Sequence, residues 1–288
     1  MKNVFVLIGI CLAVAMMVSP NLSSAEETKS TASPEWKHYP LKLVKNQKPG
    51  IKAITPSTIH GYKDAFPSVI LTYTTGKVEG VEIALIDDNK NGAYNDVGTD
   101  VMIIDNYAYG VPLSTVINIK NKLYYFEVDD LTGEKVSIKP YEDECGMVDM
   151  VSEFKCDYPL DLVILNCGQD KYYDVVREKK TKLPCGTYNL WLGFVNEGAN
   201  NVAIKQGQME NIVVTNEKKV NAIKWGSPFV LNFQCTADSK EVKATYRDIK
   251  VSGKAKEVYY NFNPVVVPDV VITDAKKEPV TKGSFCKS

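Results

Sequence analysis

The sequence predicts an all-β architecture of tandem antiparallel β-sandwich modules, and three observations carry that prediction. Short apolar runs alternate with polar or small residues, as in Val81, Ile83 and Leu85 or in Tyr188, Leu190, Leu192 and Phe194. That two-residue period is the pattern of a half-buried strand. Val, Ile and Thr abound beside 16 tyrosines, residues that suit a pleated surface. No stretch carries the apolar spacing of an amphipathic helix, and turn signals recur about every 8–12 residues.

The chain opens with Met1-Lys2-Asn3, an apolar run from Val4 to Val18, and small residues at Ser23 and Ala25. A positive head, an apolar middle and a small-residue cleavage site make residues 1–25 a predicted secretory signal peptide, and the run falls short of the about 20 residues a membrane helix needs. The product is therefore expected to be secreted, periplasmic or at the cell surface, with no transmembrane segment once the signal is removed. Residues 26–50, rich in Lys, Glu, Ser, Thr and Pro, read as a flexible lead-in. A β region follows over 51–145, with strands expected at Ser68 to Thr74, Val81 to Leu85, Val101 to Ile104, Thr115 to Ile119, Leu123 to Val128 and Lys135 to Lys139. Gly76 to Gly80 reads as a turn, and Asp129 to Gly133 as a turn with Gly supplying a positive φ. Tyr141 to Pro159 reads as an irregular junction.

Residues 146–224 form the second expected module and 225–288 the third. Within the second, Leu183-Pro184-Cys185-Gly186-Thr187-Tyr188-Asn189-Leu190 resembles the L-P-x-G-x-Y-x-L strand entry of prealbumin-like and carboxypeptidase-regulatory-like β-sandwiches. In the third, Phe229, Leu231, Phe233 and Cys235 share one face of a strand. Its tail, Val270 to Asp274 through Gly283-Ser284-Phe285, resembles the last hairpin of immunoglobulin-like modules.

Cys11 lies in the signal, leaving Cys145, Cys156, Cys167, Cys185, Cys235 and Cys286. An even set in an exported chain predicts disulfides. Pairing of sequence neighbours gives Cys145–Cys156, Cys167–Cys185 and Cys235–Cys286. No C-x-x-C pair or Cys/His cluster offers a zinc spacing.

The chemistry concentrates in Asp87-Asp88-Asn89-Lys90-Asn91-Gly92-Ala93-Tyr94-Asn95-Asp96-Val97-Gly98-Thr99-Asp100, which joins two predicted strands. Short oxygen-bearing side chains alternate at Asp87, Asn89 and Asn91, and Gly92 permits a sharp curl, so several oxygens can converge on one hard cation. This opening resembles the D-x-[DN]-x-[DN]-G start of EF-hand and dockerin calcium loops. The resemblance implies Ca²⁺ held by Asp87, Asn89, Asn91 and the Ala93 carbonyl, with Asp96 or Asp100 closing the shell. Gly98 stands where an EF-hand has its bidentate Glu, and no flanking helices are expected, so the reading is a strand-loop-strand calcium clip. A plain hairpin turn at Asn91-Gly92 explains those two residues but not the crowding of four aspartates.

A net charge of −1 gives no bulk attraction to nucleic acid. With two histidines, His38 in the lead-in and His60 before the first strand, neither beside a nucleophile, no Ser-His-Asp triad is expected. No nucleotide or haem motif appears. The expected role is non-enzymatic: a calcium-binding β protein serving adhesion or interaction with an extracellular protein or polysaccharide. The alternative is a carbohydrate-binding module or glycoside hydrolase accessory protein, in which Trp36, Trp191, Trp225 and the tyrosines stack on sugars. Tyr124-Tyr125, Tyr172-Tyr173 and Tyr259-Tyr260 would each turn one ring outward.

Overall fold

Hydrophobic alternation resolves into strands along the chain, and no helix occurs among the described residues. The computed structural model describes residues 34–47, 71–105, 109–197, 200–217, 219–232, 235–237, 242–244, 250–260, 269–273, 276 and 278–284. The expected signal with Cys11, and also His60 and Cys286, lie outside these residues.

Nine strands lie between Lys37 and Pro140: β1 (Lys37–Pro40), β2 (Lys42–Gln47), β3 (Leu71–Val78), β4 (Val81–Ile86), β5 (Val101–Ile104), β6 (Val111–Pro112), β7 (Val116–Ile119), β8 (Lys122–Val128) and β9 (Lys135–Pro140). They make two antiparallel sheets, ordered β2-β3-β4-β5-β6 and β1-β9-β8-β7. The lead-in reading is corrected here, because β1 and β2 fall inside 26–50. The chain passes from one sheet to the other at Leu41, which is 4% exposed and whose N–H donates to the Glu134 carbonyl at 2.7 Å. The turn expected from Gly76 begins later. Gly76 is paired with Ile83 inside the β3–β4 ladder, and the reversal is made by Glu79 (φ 48) and Gly80 (φ 78). Gly76 serves close approach instead, since a Cβ there would lie 2.7 Å from the Pro40 carbonyl oxygen.

The middle of the chain supplies β10 (Cys145–Asp149), β11 (Phe154–Lys155), β12 (Leu160–Cys167), β13 (Lys171–Asp174), β14 (Thr181–Pro184), β15 (Gly186–Glu197), β16 (Asn200–Lys205), β17 (Ile212–Val214), β18 (Asn221–Ala222) and β19 (Trp225–Gly226). The expected junction over Tyr141 to Pro159 thus contains two strands. β10 is central to the sheet β14-β10-β18. The last strands are β20 (Val230–Asn232), β21 (Cys235–Ala237), β22 (Val242–Ala244), β23 (Lys250–Ser252), β24 (Val258–Tyr260), β25 (Asp269–Thr273) and β26 (Pro279–Ser284).

The longest sheet runs β13-β12-β15-β16-β24-β23-β20, with β17 also on β15. It crosses the boundary expected at 224/225, because β24 pairs with β16, and Pro34–Ser288 cluster as one compact unit. The tail forms the expected β25–β26 hairpin. β20 sits at the sheet edge with Val230, Leu231 and Asn232 all exposed, and Phe229 is 42% exposed, so Phe229 and Leu231 do not face inward as expected; Phe233 of the same expected face lies outside the described residues.

β12 carries a core on each face. Leu162 and Ile164 enter a first core with Ile83, Leu85, Met102, Ile117, Phe126 and Ile138. Val163 and Leu165 enter a second core with Val148, Leu183, Ile212 and Trp225. Its partner β15 does the same by a different device. The register shifts between Ile164↔Leu192 and Leu165↔Leu190, leaving Trp191 as an extra residue. One extra residue exchanges the two faces of a strand. Tyr188 and Leu190 therefore enter the second core, while Leu192 and Phe194 enter the first. The single-sided alternation predicted for these four residues is split in two, and each large side chain buried this way contributes about 1.5–3 kcal/mol.

Candidate metal centre in the Asp87–Asp100 loop

The loop leaves β4 at Ile86 and returns at β5, and those two strands are directly paired through Ile86↔Val101. Its two ends are therefore fixed, and the strand-loop-strand setting expected for the acidic stretch is what the chain forms. Between them the side chains of the first half turn inward on the backbone. Asp87 accepts the Asn91 N–H on Oδ1 (3.2 Å) and the Gly92 N–H on Oδ2 (2.8 Å). Asn89 Oδ1 accepts the Asn91 N–H at 3.0 Å, and Asn91 Oδ1 accepts the Ala93 N–H at 2.7 Å. Gly92 permits the curl at φ 87, and Lys90 is also left-handed at φ 58.

Asp96 comes back across this curl. Its Oδ2 accepts both side-chain amides, from Asn89 at 2.8 Å and from Asn91 at 2.6 Å. Asp87, Asn89, Asn91 and Asp96 are thereby linked in one network within ten residues of chain. Carboxylate and amide oxygens are the donor chemistry of a hard cation, and an oxygen that accepts one N–H keeps a second lone pair. Among the described residues no group of three or more His, Cys, Asp or Glu side chains is placed to hold a metal ion. A cation here would accordingly depend on the two asparagine amides and backbone oxygens.

Asp100, expected with Asp96 as one of two residues able to close the shell, is placed beneath the loop. It is 1% exposed, and its two oxygens accept the backbone N–H of Asp88 (3.2 Å) and of Asp96 (2.8 Å). It braces the two limbs of the loop from beneath. Burial pushes its pKa up to about 6; the two N–H donors oppose that rise and the charges of Asp96 and Asp87 add to it.

The structure also accounts for Gly98, where the resemblance wanted a carboxylate. Gly98 has φ 77 and lies against the β12–β13 turn, where a Cβ would sit 2.6 Å from the Gln169 carbonyl oxygen. Its N–H donates to the Leu113 carbonyl at 2.9 Å. A glutamate cannot occupy that position. Two further contacts were invisible in the sequence. Tyr94, 8% exposed, donates its N–H to the Leu131 carbonyl at 3.0 Å. Gly133, at φ 68, sits so close that a Cβ on it would be 2.6 Å from the Tyr94 Cβ. The loop is thus docked on the β8–β9 turn, some forty residues onward, with no local signal to announce it.

His38, expected in a flexible lead-in and away from any nucleophile, is held beside a serine. It lies in β1 opposite Ser137 of β9, with Nδ1 at 2.5 Å from Ser137 Oγ and 3.1 Å from Asp129 Oδ2. A triad requires the serine and the carboxylate on different ring nitrogens, whereas here one nitrogen meets both. Ser137 is 2% exposed and donates to Asp129 Oδ1 at 2.6 Å, so the group is a hydrogen-bonded clasp between β1 and β9.

The tryptophans do not make a platform. Trp225 is fully buried and donates Nε1–H to the Met150 carbonyl at 2.7 Å. Trp191 meets Tyr172 edge-on at 5.7 Å, and Lys139 Nζ lies over Trp36 at 5.3 Å. Tyr172 and Tyr173 are both buried, one in each core, because β13 is covered on two sides; Tyr260 does turn outward at 39% exposure.

The four described cysteines outside β21, namely Cys145, Cys156, Cys167 and Cys185, are half-buried free thiols. Comparison with known proteins returns no matching family model, no matching curated protein and no matching solved structure.

Proposed function

We propose that this chain is an exported calcium-binding β protein whose cation clips β4 to β5 and whose role is structural, in adhesion or in interaction with an extracellular protein or polysaccharide. One observation supports it above the others: Asp87, Asn89, Asn91 and Asp96, spread over ten residues, fold into a single oxygen-rich network on a loop braced from below by Asp100. Like charges so close cost energy unless a cation offsets them. In this reading Asp87, Asn89, Asn91 and Asp96 would hold Ca²⁺, the Ala93 carbonyl and water completing the 6–8 oxygens the ion takes. Bound Ca²⁺ supplies fixed positive charge; the chain's own residues supply the curl and the brace.

The polysaccharide-binding alternative is less well supported, since Trp225 is buried and half-buried Trp191 packs against Tyr172. Titration calorimetry on the mature chain tests the calcium reading. Binding with a Kd of about 0.1–1 mM, the range of extracellular modules, is expected, with a higher Tm in calcium than in chelator. Asp96→Ala should lower the affinity at least tenfold and shrink the Tm difference with it. No heat at millimolar Ca²⁺, with wild type and Asp96→Ala melting alike, would refute it.

A further inference from the structure

We propose that Cys145, Cys167 and Cys185 form one thiol–disulfide site in which Cys185 is the shared partner, able to bond to Cys167 or to Cys145, with Cys156 outside it. The placement follows from strand pairing. The β10–β14 ladder sets Cys145 opposite Pro184, and the Cys185 N–H donates to the Glu144 carbonyl at 2.9 Å. Cys145 and Cys185 are therefore on adjacent rungs. On the other side of the same corner, β12 runs beside β15, and a Cβ on Gly186 would lie 3.1 Å from Cys167 Sγ. The residue next to Cys185 is thus in contact with the third thiol.

The tyrosines around this corner report the same grouping. The Tyr141 hydroxyl is raised first by burial and then by the charges of Asp143, Cys185, Cys145 and Cys167. Tyr188, whose hydroxyl donates to the Pro184 carbonyl at 2.8 Å, senses Cys167 and Cys185 after burial. Cys156 packs against the second core, as Cys167 does, but it acts on Tyr259 and on neither Tyr141 nor Tyr188. The neighbour pairing Cys145–Cys156 would have to draw together residues with separate surroundings.

Glutathione disulfide serves as the oxidant. The Cys185 thiolate attacks one of its sulfurs, forming a mixed disulfide and releasing one glutathione thiol. The thiolate of Cys167 or Cys145 then attacks the Cys185 sulfur and expels the second glutathione. Two protein thiols lose two protons and two electrons, and one glutathione disulfide becomes two thiols. The remaining cysteine can attack the new bond and exchange into it. Burial, then Glu144 and Cys145, raise the Cys185 thiol, so the first attack should quicken as pH rises.

The test equilibrates the full chain in a glutathione redox buffer, alkylates free thiols and maps a non-reduced digest by mass spectrometry. Expected are Cys167–Cys185 and Cys145–Cys185 peptides, one cross-link per molecule at this corner. Cys145→Ser should collect all of it as Cys167–Cys185, and Cys167→Ser as Cys145–Cys185. Cys185→Ser should leave Cys145 and Cys167 both alkylated. A Cys145–Cys156 peptide in the wild type, or three alkylated thiols after oxidation, overturns the proposal. So does a Cys145–Cys167 bond in Cys185→Ser. The wild-type map decides the matter even where a variant folds poorly, and it is independent of calcium.

Discussion

The Asp100 carboxylate accepts the Asp96 backbone N–H at 2.8 Å, while the Asp96 side chain, four residues earlier, reaches the other way to Asn89 and Asn91. One aspartate is buried to hold the loop and the other is presented within it. Substitutions should separate these two roles. Asp96→Ala is expected to lower calcium affinity at least tenfold and leave stability in chelator nearly unchanged. Asp100→Ala removes both supports of the loop and should cost about 2–4 kcal/mol with or without calcium. Calorimetry and urea titration, each run in both states, measure the difference.

Gly133 sets the docking of the loop. With φ 68 and Tyr94 in the path of any Cβ, Gly133→Ala carries both backbone strain and a clash, about 2–4 kcal/mol together. Gly80 also has positive φ, but a Cβ there meets nothing within 4 Å, so Gly80→Ala should cost only about 1 kcal/mol. Denaturant midpoints of the two variants give the comparison, and equal losses would show that the Tyr94 contact is slack.

Glu257 is fully buried. Its oxygens accept the Gly226 N–H (2.7 Å), the Tyr259 hydroxyl (3.0 Å) and the Ala255 N–H (3.0 Å). A Cβ on Gly253 would overlap the carboxylate, so the group has no room to turn. Glu257→Gln sets an NH₂ against a donor and should destabilise by about 2–4 kcal/mol. A urea midpoint within experimental scatter of wild type would count against this.

Asp149 gives a pH dependence. Burial, at 3% exposure, acts to raise its carboxyl, but the Ser152 and Val151 donors outweigh it and hold the pKa below the usual value. A depressed folded pKa contributes stability that is present above the unfolded value of about 4 and is lost as pH falls through the folded value. Asp149→Asn should therefore be less stable than wild type at pH 7, and the gap should close below pH about 4. Urea midpoints from pH 2 to 7 test this, and a gap independent of pH would contradict it.

Most of the strands were legible because their signal is local. Val101–Ile104 and Lys122–Val128 alternate or run apolar over their own length and are flanked by turn residues. The curl at Asp87, Asn89 and Asn91 was legible for the same reason, since each oxygen meets a backbone N–H within five residues. What failed was longer in range. Phe229 and Leu231 alternate as an inward face should, yet Leu231 lies on the sheet's edge strand and Phe229 just before it, both exposed. Tyr188 to Phe194 read as one face, and the bulge at Trp191 sends them to two cores. His38 reads as part of a flexible lead-in, and only the pairing of β1 with β9 sets it opposite Ser137.

By itself the sequence determined the all-β class, the strand-loop-strand setting of the acidic stretch and the oxygens that can gather there, because hydrophobic period and turn chemistry act between near neighbours. Only the tertiary structure decided which carboxylate braces and which is presented, why Gly98 stands where a carboxylate was expected, and which thiols share a corner. Those outcomes depend on the Gln169 carbonyl, on Tyr94 against Gly133 and on the rungs joining β10 to β14. Strand pairing over tens of residues sets such contacts, and no local pattern encodes them.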